Sequence, residues 1–185
     1  MPVIKTDKES IIKKTIHLFK VHGYYNTTMA DIGRETGLIK GSIYHHFKSK
    51  EDLALSCLIY IHQFFEDNIY SIAYAEKLTD KEKLKQFTKA IEEYFLNSEG
   101  GCLLGNFALE LSNNIPLLKD EIVNYFKKWE EALYEILEAE LGNKKAKDKS
   151  KQLVASTQGS IMMMRLYGST ESFKKLNQEV LKTLS

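Results

Sequence analysis

The sequence predicts an all-α protein of about nine helices. Apolar residues recur at helical spacing along most of the chain, for example over residues 116–141. Capping residues and glycines separate these segments, as at Thr28 and Gly37. We therefore expect a small helical domain over residues 1–50 and a larger helical domain over residues 51–185.

The first two helices have clear start and stop signals. Residues 8–22 place apolar side chains at helical spacing, and Gly23 ends that segment. Thr28 and Asp31 have the spacing of a capping box, so a second helix is predicted to begin there. Gly37 can adopt the left-handed conformation that ends a helix, and a tight turn follows.

The segment after this turn, residues 38–50, is predicted to form a rigid basic rod. Ile43 and Phe47 supply apolar contacts to the domain, whereas the other side of the segment is polar and cationic. That outward side suits phosphates and base edges, and it contains Lys40, Ser42, Tyr44, His45, Lys48 and Lys50.

Charge divides the chain at the same place. Residues 1–50 hold nine Lys and Arg against four Asp and Glu, a net charge of +5, and the remainder holds 17 against 21. A basic head on an acidic body is typical of a nucleic-acid-binding protein, although most charge runs are simply solvated faces. Charge alone leaves both interpretations open.

The run from Thr28 through Gly37 to residues 41–53, GSIYHHFKSKEDL, resembles the DNA-binding signature of the TetR family of bacterial transcriptional regulators. The resemblance spans about residues 10–55 and joins the turn, the recognition helix and the basic turn that follows in one register.

Three positions depart from the family pattern. Gly33 and Thr36 stand where the family commonly has Ala, and Ile39 stands where a Ser commonly caps the recognition helix. A helix start without a side-chain cap costs about 1 kcal/mol.

This resemblance implies a three-helix helix-turn-helix DNA-binding head over residues 1–50 and a ligand-binding and dimerisation body over residues 51–185. It implies a homodimer that binds a palindromic operator in double-stranded DNA. We expect a repressor that a small, largely apolar effector releases from the operator.

Some of the DNA-contacting residues have specific predicted roles. Lys40 can bond guanine O6 and N7, and Met29 can reach an apolar base edge. The hydroxyl and backbone N–H of Thr28 are predicted to bond phosphate, while Tyr44 and Lys50 match family positions that contact the DNA backbone. The predicted DNA-binding set is Thr28, Met29, Lys40, Gly41, Ser42, Tyr44, His45, Lys48 and Lys50.

The remaining chain is predicted to form longer helices. Residues 51–75 read as one helix, and Thr79 or Asp80 caps the next. Residues 102–111 are almost wholly apolar and should be buried on most sides. Further helices are predicted over residues 116–141, 149–167 and 170–184, with the lysine-rich residues 144–151 as a loop or a solvated helix start.

Two surfaces of the body are predicted to have a function. Apolar and aromatic side chains of the kind that line a ligand pocket are Tyr60, Phe64, Leu104, Phe107, Ala108, Trp129 and Met162, and core packing explains each equally well. Small and apolar side chains that permit close helix approach lie at Ala155, Gly159, Met163 and Leu166. Packing within the chain explains this face too, whereas the resemblance to the TetR family implies that it belongs to a four-helix dimer interface with two such helices from each subunit.

Cys102 supports a second sensing hypothesis. Its place after two glycines and in the first turn of a predicted helix would lower the pKa of its thiol, which favours reaction with oxidants or electrophiles. An inert buried thiol is the competing interpretation.

Other classes of protein find less support in the sequence. The usual phosphate-loop, dinucleotide, zinc-protease and hydrolase motifs are absent, so we predict no enzyme, no cofactor and no metal site. A helical ligand-binding protein or enzyme with no DNA role remains the alternative. We expect a cytoplasmic protein, because no apolar run approaches the ~18 residues of a membrane span and two cysteines are too few for a disulfide framework.

Overall fold

The computed structural model describes residues 8–111 and 115–184 and confirms the predicted all-α fold. Within those residues the chain forms nine α-helices and two short 3-10 helices, with no strand. The α-helices are α1 Lys8–His22, α2 Met29–Thr36, α3 Lys40–His46, α4 Lys50–Asn68, α5 Asp80–Leu96, α6 Leu103–Leu111, α7 Pro116–Leu141, α8 Asn143–Tyr167 and α9 Glu171–Leu181.

The chain divides into two compact units. Unit 1 contains the described residues of Met1–Ile61 and Leu103–Ile122, and unit 2 contains His62–Cys102 and the described residues of Val123–Ser185. Unit 1 therefore includes α6 in addition to α1–α3 and the first part of α4. The functional division between residues 1–50 and 51–185 stays a prediction.

Unit 1 is built on the apolar face of α1. Ile11 and Phe19 are buried on that helix, together with Ile32 of α2 and Ile43 of α3. The Phe19 ring also meets the Phe107 ring of α6, with centroids 5.4 Å apart. The periodicity of α1 thus predicted the helix.

Unit 2 has an aromatic core. The buried ring of Phe65 lies 5.1 Å from that of Tyr125 and 6.0 Å from that of Trp129, centroid to centroid. Phe95 stacks on Trp129 at 6.3 Å. These contacts join α4, α5 and α7, and the buried Phe173 of α9 adds to them.

The single helix predicted over residues 51–75 is wrong, because α4 ends at Asn68 and a 3-10 helix follows at Tyr70–Tyr74. Burial of Tyr70 explains the change. Its ring stacks on Phe87 at 6.3 Å, and its hydroxyl donates to the backbone oxygen of Tyr125 at 3.4 Å. A tighter 3-10 turn points this side chain into the core.

The other boundaries differ by smaller amounts. The lysine-rich residues 144–151 belong to α8, which begins at Asn143, and the last helix gives way to a 3-10 turn after Leu181. The sequence also predicts a helix start over residues 113–116, and its first two residues, Asn113 and Asn114, lie outside the described residues. The predicted burial of α6 on most sides is confirmed, since Leu103, Leu104, Phe107 and Leu111 are buried, and Leu109 at 83% is the one exposed residue of that helix. Among the described helices, none combines the length and the apolar character that crossing a membrane requires.

Candidate nucleic-acid interface

The predicted capping box at the start of α2 is present. The Thr28 backbone N–H donates to Asp31 Oδ2 at 2.8 Å, and the Thr28 hydroxyl donates to the same oxygen at 2.6 Å. In return the Asp31 backbone N–H donates to Thr28 Oγ1 at 3.1 Å. These bonds satisfy backbone groups that a helix start otherwise leaves open.

The capping box also affects the titration of Asp31. Hydrogen bonds from the Thr28 hydroxyl and backbone hold the pKa of the Asp31 carboxyl below its ordinary value. Because the folded-state pKa is the lower one, the cap adds stability above the unfolded-state pKa. That stability is lost as the pH falls through the folded-state pKa.

Two of the predicted DNA contacts need correction. The Thr28 hydroxyl and backbone N–H, which were expected to bond phosphate, both donate to Asp31 in this structure. Met29 is only 7% exposed, because its side chain lies in the core of unit 1. The expectation that Met29 reaches a base edge is therefore wrong for this conformation.

The turn between α2 and α3 is tight for a steric reason. A Cβ atom on Gly33 would lie 2.7 Å from the backbone oxygen of Leu38, so a side chain there would collide with the turn. Gly37 ends α2 at a φ of 73°, in the left-handed region, and the Leu38 N–H donates to Gly33 O at 3.0 Å. Glycine at position 33, one of the departures from the family pattern, is thus required by this backbone.

Two apolar residues orient α3. Ile43 is fully buried and Phe47 is nearly so, and both point into unit 1. The opposite side of the helix is open, with Lys40, Gly41 and His45 exposed and Ser42 partly exposed. We call the surface formed by Lys40, Gly41, Ser42, Tyr44 and His45 the α3 outer face. The Lys40 ammonium lies 5.7 Å from the centre of the exposed Tyr44 ring.

The predicted basic rod over residues 38–50 is wrong, because α3 ends at His46. Phe47 is extended, with φ −135° and ψ 128°. A second cap then starts α4: the Lys48 N–H donates to Asp52 Oδ2 at 2.8 Å, and the Asp52 N–H donates to Ser49 Oγ at 3.1 Å. The lysine at position 48 therefore lies in the turn.

Lys50 lies at the start of α4 and is partly buried. Its ammonium is 4.2 Å from the centre of the Tyr24 ring, within the distance of a cation–π contact. Burial lowers the pKa of Lys50, although the carboxylates of Glu51 and Glu110 oppose that shift. Lys48, by contrast, is exposed.

Gly41 lies within α3, yet the packing of the protein does not require glycine there. A Cβ atom added at this position would meet nothing within 4 Å. Glycine inside a helix costs roughly 0.5–1 kcal/mol relative to alanine. The open space lets another molecule approach the backbone of α3 closely.

Glu110 of α6 has a structural role that sequence reasoning missed. Its carboxylate accepts hydrogen bonds from the backbone N–H groups of Tyr24 at 2.9 Å and Tyr25 at 2.8 Å. The Tyr24 ring packs on Phe107 of the same helix, with centroids 5.7 Å apart. Gly23, with a φ of 81°, brings the turn close, since a Cβ atom there would lie 3.1 Å from Glu110 Oε2. The 85 or 86 residues that separate these partners leave no local signal in the sequence.

The predicted ligand-pocket residues are divided between the units. Tyr60, Leu104, Phe107 and Ala108 belong to unit 1, and Phe64, Trp129 and Met162 belong to unit 2. Trp129 lines a cavity of about 20 Å³, space for one water molecule. Its other walls come from different residues, namely Phe87, Thr88, Ile91, Leu133, Leu153, Thr157, Asn177 and Val180. The effector site stays a prediction.

Cys102 precedes α6, which starts at Leu103, and its side chain is 4% exposed. This burial favours the inert thiol over the reactive one, because thiol reactions require access to the sulfur. Cys57 is fully buried, and burial raises the pKa of its thiol.

In the part of the chain that the structure describes, no cluster of three potential metal ligands occurs.

The predicted dimer surface of α8 is largely accessible. Ala155 is exposed, Leu166 is 68% exposed, and Gly159 and Met163 are partly exposed. A Cβ atom on Gly159 would meet nothing within 4 Å. These four residues are therefore accessible for contact with another chain, and the dimer interface itself stays a prediction.

Comparison with known proteins agrees with this geometry. Residues 11–57 match the family described as bacterial regulatory proteins, tetR family, and residues 81–179 match the transcriptional regulator LmrA/YxaF-like C-terminal domain. The HTH-type transcriptional repressor DhaR of Mycobacterium sp. (strain GP1) is 27% identical over 96% of this chain and 91% of that protein. The HTH-type transcriptional regulator LmrA of Bacillus subtilis (strain 168) is 29% identical over 84% of this chain and 85% of the LmrA chain.

A crystal structure of a TetR transcriptional regulator from Legionella pneumophila superposes with a TM-score of 0.88 and 26% sequence identity, covering all of both chains. Fold, turn geometry and relatives together define a helix-turn-helix transcriptional regulator. The chain belongs to the tetR family of bacterial regulatory proteins, with a C-terminal domain of the LmrA/YxaF-like type. Since the relatives are regulators, they confirm the prediction that this protein is not an enzyme.

The capping box of α2 has a matched control in unit 2, where Thr79 and Glu82 form the same arrangement at the start of α5. Thr28→Ala should lower the free energy of unfolding by about 1 kcal/mol, as loss of a helix cap typically does, and should weaken DNA binding. Thr79→Ala should cost similar stability but leave DNA affinity unchanged. Chemical denaturation and fluorescence anisotropy with duplex DNA measure the two effects. Equal DNA affinities for both variants would contradict a specific role of the α2 cap.

Glu110→Gln should destabilise the turn before α2, because the amide keeps one acceptor oxygen for two backbone N–H groups. The expected loss of stability is about 1.5–3 kcal/mol, the contribution of a hydrogen bond to a charged group. Hydrogen exchange should accelerate at the Tyr24 and Tyr25 amides in particular. Glu135→Gln, at an exposed position of α7, is the control. Unchanged exchange at both tyrosine amides would show that Glu110 does not hold this turn.

Proposed function

We propose that the protein is a repressor that binds a palindromic DNA operator as a homodimer and leaves it when a small, largely apolar effector binds. The α3 outer face is the observation that carries this proposal. It exposes cationic and polar side chains around a glycine that the protein's own packing does not require. The names of relatives support repression, since DhaR is a repressor and IcaR of Staphylococcus epidermidis is a negative regulator.

On the operator, the α3 outer face is proposed to enter the major groove. Lys40 bonds guanine O6 and N7, Gly41 lets the backbone approach, and Ser42 bonds a base or a phosphate. Tyr44 and the other basic or polar side chains are proposed to contact the DNA backbone, namely Thr28, His45, Lys48 and Lys50. For Thr28 and Lys50 such contacts require their hydrogen bonds or ring contact to rearrange.

A second copy of the chain is proposed to complete the DNA-binding unit. One seven-residue helix covers only a few base pairs, whereas a twofold pair reads two half-sites about one helical turn, ~34 Å, or a multiple apart. The proposed interface uses Ala155, Gly159, Met163 and Leu166 of α8. In bacteria the operator lies in the cytoplasm, so we expect the protein to act there.

The effector is proposed to bind among Tyr60, Phe64, Leu104, Phe107, Ala108, Trp129 and Met162. It releases DNA only if it binds the non-operator conformation more tightly than the operator-bound one. A 100-fold loss of DNA affinity requires about 2.7 kcal/mol of such coupling.

The direct test selects the bound sequence from random duplexes and then titrates it in gel shifts at several salt concentrations. The proposal predicts an inverted repeat and an affinity that falls linearly with salt on logarithmic scales. Binding without sequence preference, or none at low salt, would overturn it. Repression itself is then measured with a reporter gene under the selected operator, where higher expression with the protein present would contradict a repressor.

Gly41→Ala separates the stability of α3 from its function. Alanine should raise the free energy of unfolding by roughly 0.5–1 kcal/mol, because it favours the helix and meets no atom of the chain. The same methyl group should weaken operator binding at least tenfold by keeping α3 away from the base edges. Thermal denaturation and anisotropy titration measure both. A variant that is more stable and binds equally well would refute close approach at Gly41.

The dimer interface predicts that Leu166→Lys yields a monomer at micromolar concentrations, because a buried, unpaired charge is costly. Tyr74→Lys places the same charge at another exposed apolar position, in the 3-10 helix, and should leave the dimer intact. Sedimentation velocity distinguishes the two states. If Leu166→Lys remains dimeric, α8 does not form the interface in the proposed way.

A further inference from the structure

Ile39 is an apolar side chain at a place where the fold gains little from it. It lies directly before α3 and is 77% exposed. It also occupies the N-cap position, with φ −71° and ψ 150°, and makes no side-chain hydrogen bond to the helix. A Ser, Thr, Asp or Asn would cap the helix at this position and would not expose a branched hydrocarbon to water.

The backbone at Ile39 is nevertheless held by hydrogen bonds to α3. Its carbonyl accepts hydrogen bonds from the N–H groups of Ser42 at 2.9 Å and Ile43 at 3.4 Å. The buried Ile43 side chain then fixes α3 on unit 1. The Ile39 side chain therefore projects from a fixed point at one end of the α3 outer face.

The neighbours of Ile39 show what could cover it. Lys40 follows directly, and its ammonium is exposed for an anionic or electron-rich partner. Gly41 leaves open space beside the helix backbone. An apolar side chain next to an exposed cation and an open backbone suits a surface that offers both hydrogen-bond acceptors and a hydrocarbon group.

The major groove of DNA offers that combination. Guanine presents two acceptors, and thymine presents an acceptor and the 5-methyl group, which adenine, guanine and cytosine lack. Isoleucine can neither donate nor accept a hydrogen bond, so burying a polar base edge against it would leave that edge unsatisfied. Ile39 accordingly favours a methyl group over any polar base edge.

We propose that Ile39 is a specificity-determining residue that contacts the 5-methyl group of one thymine in each operator half-site. This inference rests on the proposed DNA-binding function and adds a base preference to it. Burying one methyl-sized group is worth about 0.8 kcal/mol, which corresponds to about a fourfold change in affinity per half-site. Two half-sites together give roughly a 15-fold change for the dimer.

The test replaces each thymine of the selected operator by deoxyuridine, one position at a time and symmetrically in both half-sites. Deoxyuridine lacks only the 5-methyl group, so base pairing is kept. For the full-length wild-type protein, one position should weaken binding roughly 15-fold. For Ile39→Ala the same replacement should change affinity less than twofold, because the contact is already lost.

Two further variants separate recognition from folding. Ile39→Ser supplies a helix cap, so this variant should be at least as stable as the wild type. Like Ile39→Ala, it should bind the operator with nearly the same affinity whether thymine or deoxyuridine is present. Ile59→Ala removes another exposed isoleucine of unit 1, at a position of α4 outside the α3 outer face, and should keep the full sensitivity to deoxyuridine.

The outcomes distinguish this inference from the proposed function. If the wild type selects an operator but binds it equally well with deoxyuridine at every position, the methyl contact is refuted. It is also refuted if Ile39→Ala remains as sensitive to deoxyuridine as the wild type. In both cases the proposed DNA-binding function is unaffected. If the selected half-site contains no thymine, the contact is refuted as well. If no duplex is bound selectively, both the methyl contact and the proposed DNA-binding function are refuted.

Discussion

The burial of Ile43 and Phe47 determines what the α3 outer face can do. α3 has seven residues, whereas isolated helices shorter than ~12–15 residues are marginal in water, so its conformation depends on these two anchors. Both are almost completely buried in unit 1, and their positions four residues apart leave one side of the helix turned outward. That side carries Lys40 and Gly41. Loss of either anchor would therefore disturb the direction of the α3 outer face as well as the core.

Three glycines around this helix serve different physical purposes. Gly33 is needed because a side chain would collide with the turn, and Gly37 because the chain adopts a left-handed conformation there. Neither reason applies to Gly41, which has open space around it. A helix-weakening residue without an internal reason is consistent with selection by a partner, because natural sequences break local rules mainly at functional sites. Exposed Ile39 breaks a local rule in the same way, two residues earlier.

Local signals in the sequence were sufficient for the features that depend on neighbouring residues. The capping box at Thr28, the helix end at Gly37 and the long helix α7 are all recognised within a few residues along the chain. Features that depend on tertiary contacts were missed. The ring of Tyr70 ends the long pattern of α4 by entering the core of unit 2, and Glu110 holds a turn more than 80 residues away in sequence. The exposed or buried state of each aromatic side chain depends on such contacts, and the predicted pocket depends on them too.

In the proposed function, the α3 outer face meets base edges while the buried side of α3 holds the helix on unit 1. A crystal structure of the full-length protein with its selected duplex tests this most directly. We expect α3 in the major groove, with Lys40 Nζ within hydrogen-bond distance of a guanine and the Gly41 backbone in contact with the DNA. A complex in which the α3 outer face remains in solvent while another surface holds the duplex would contradict it.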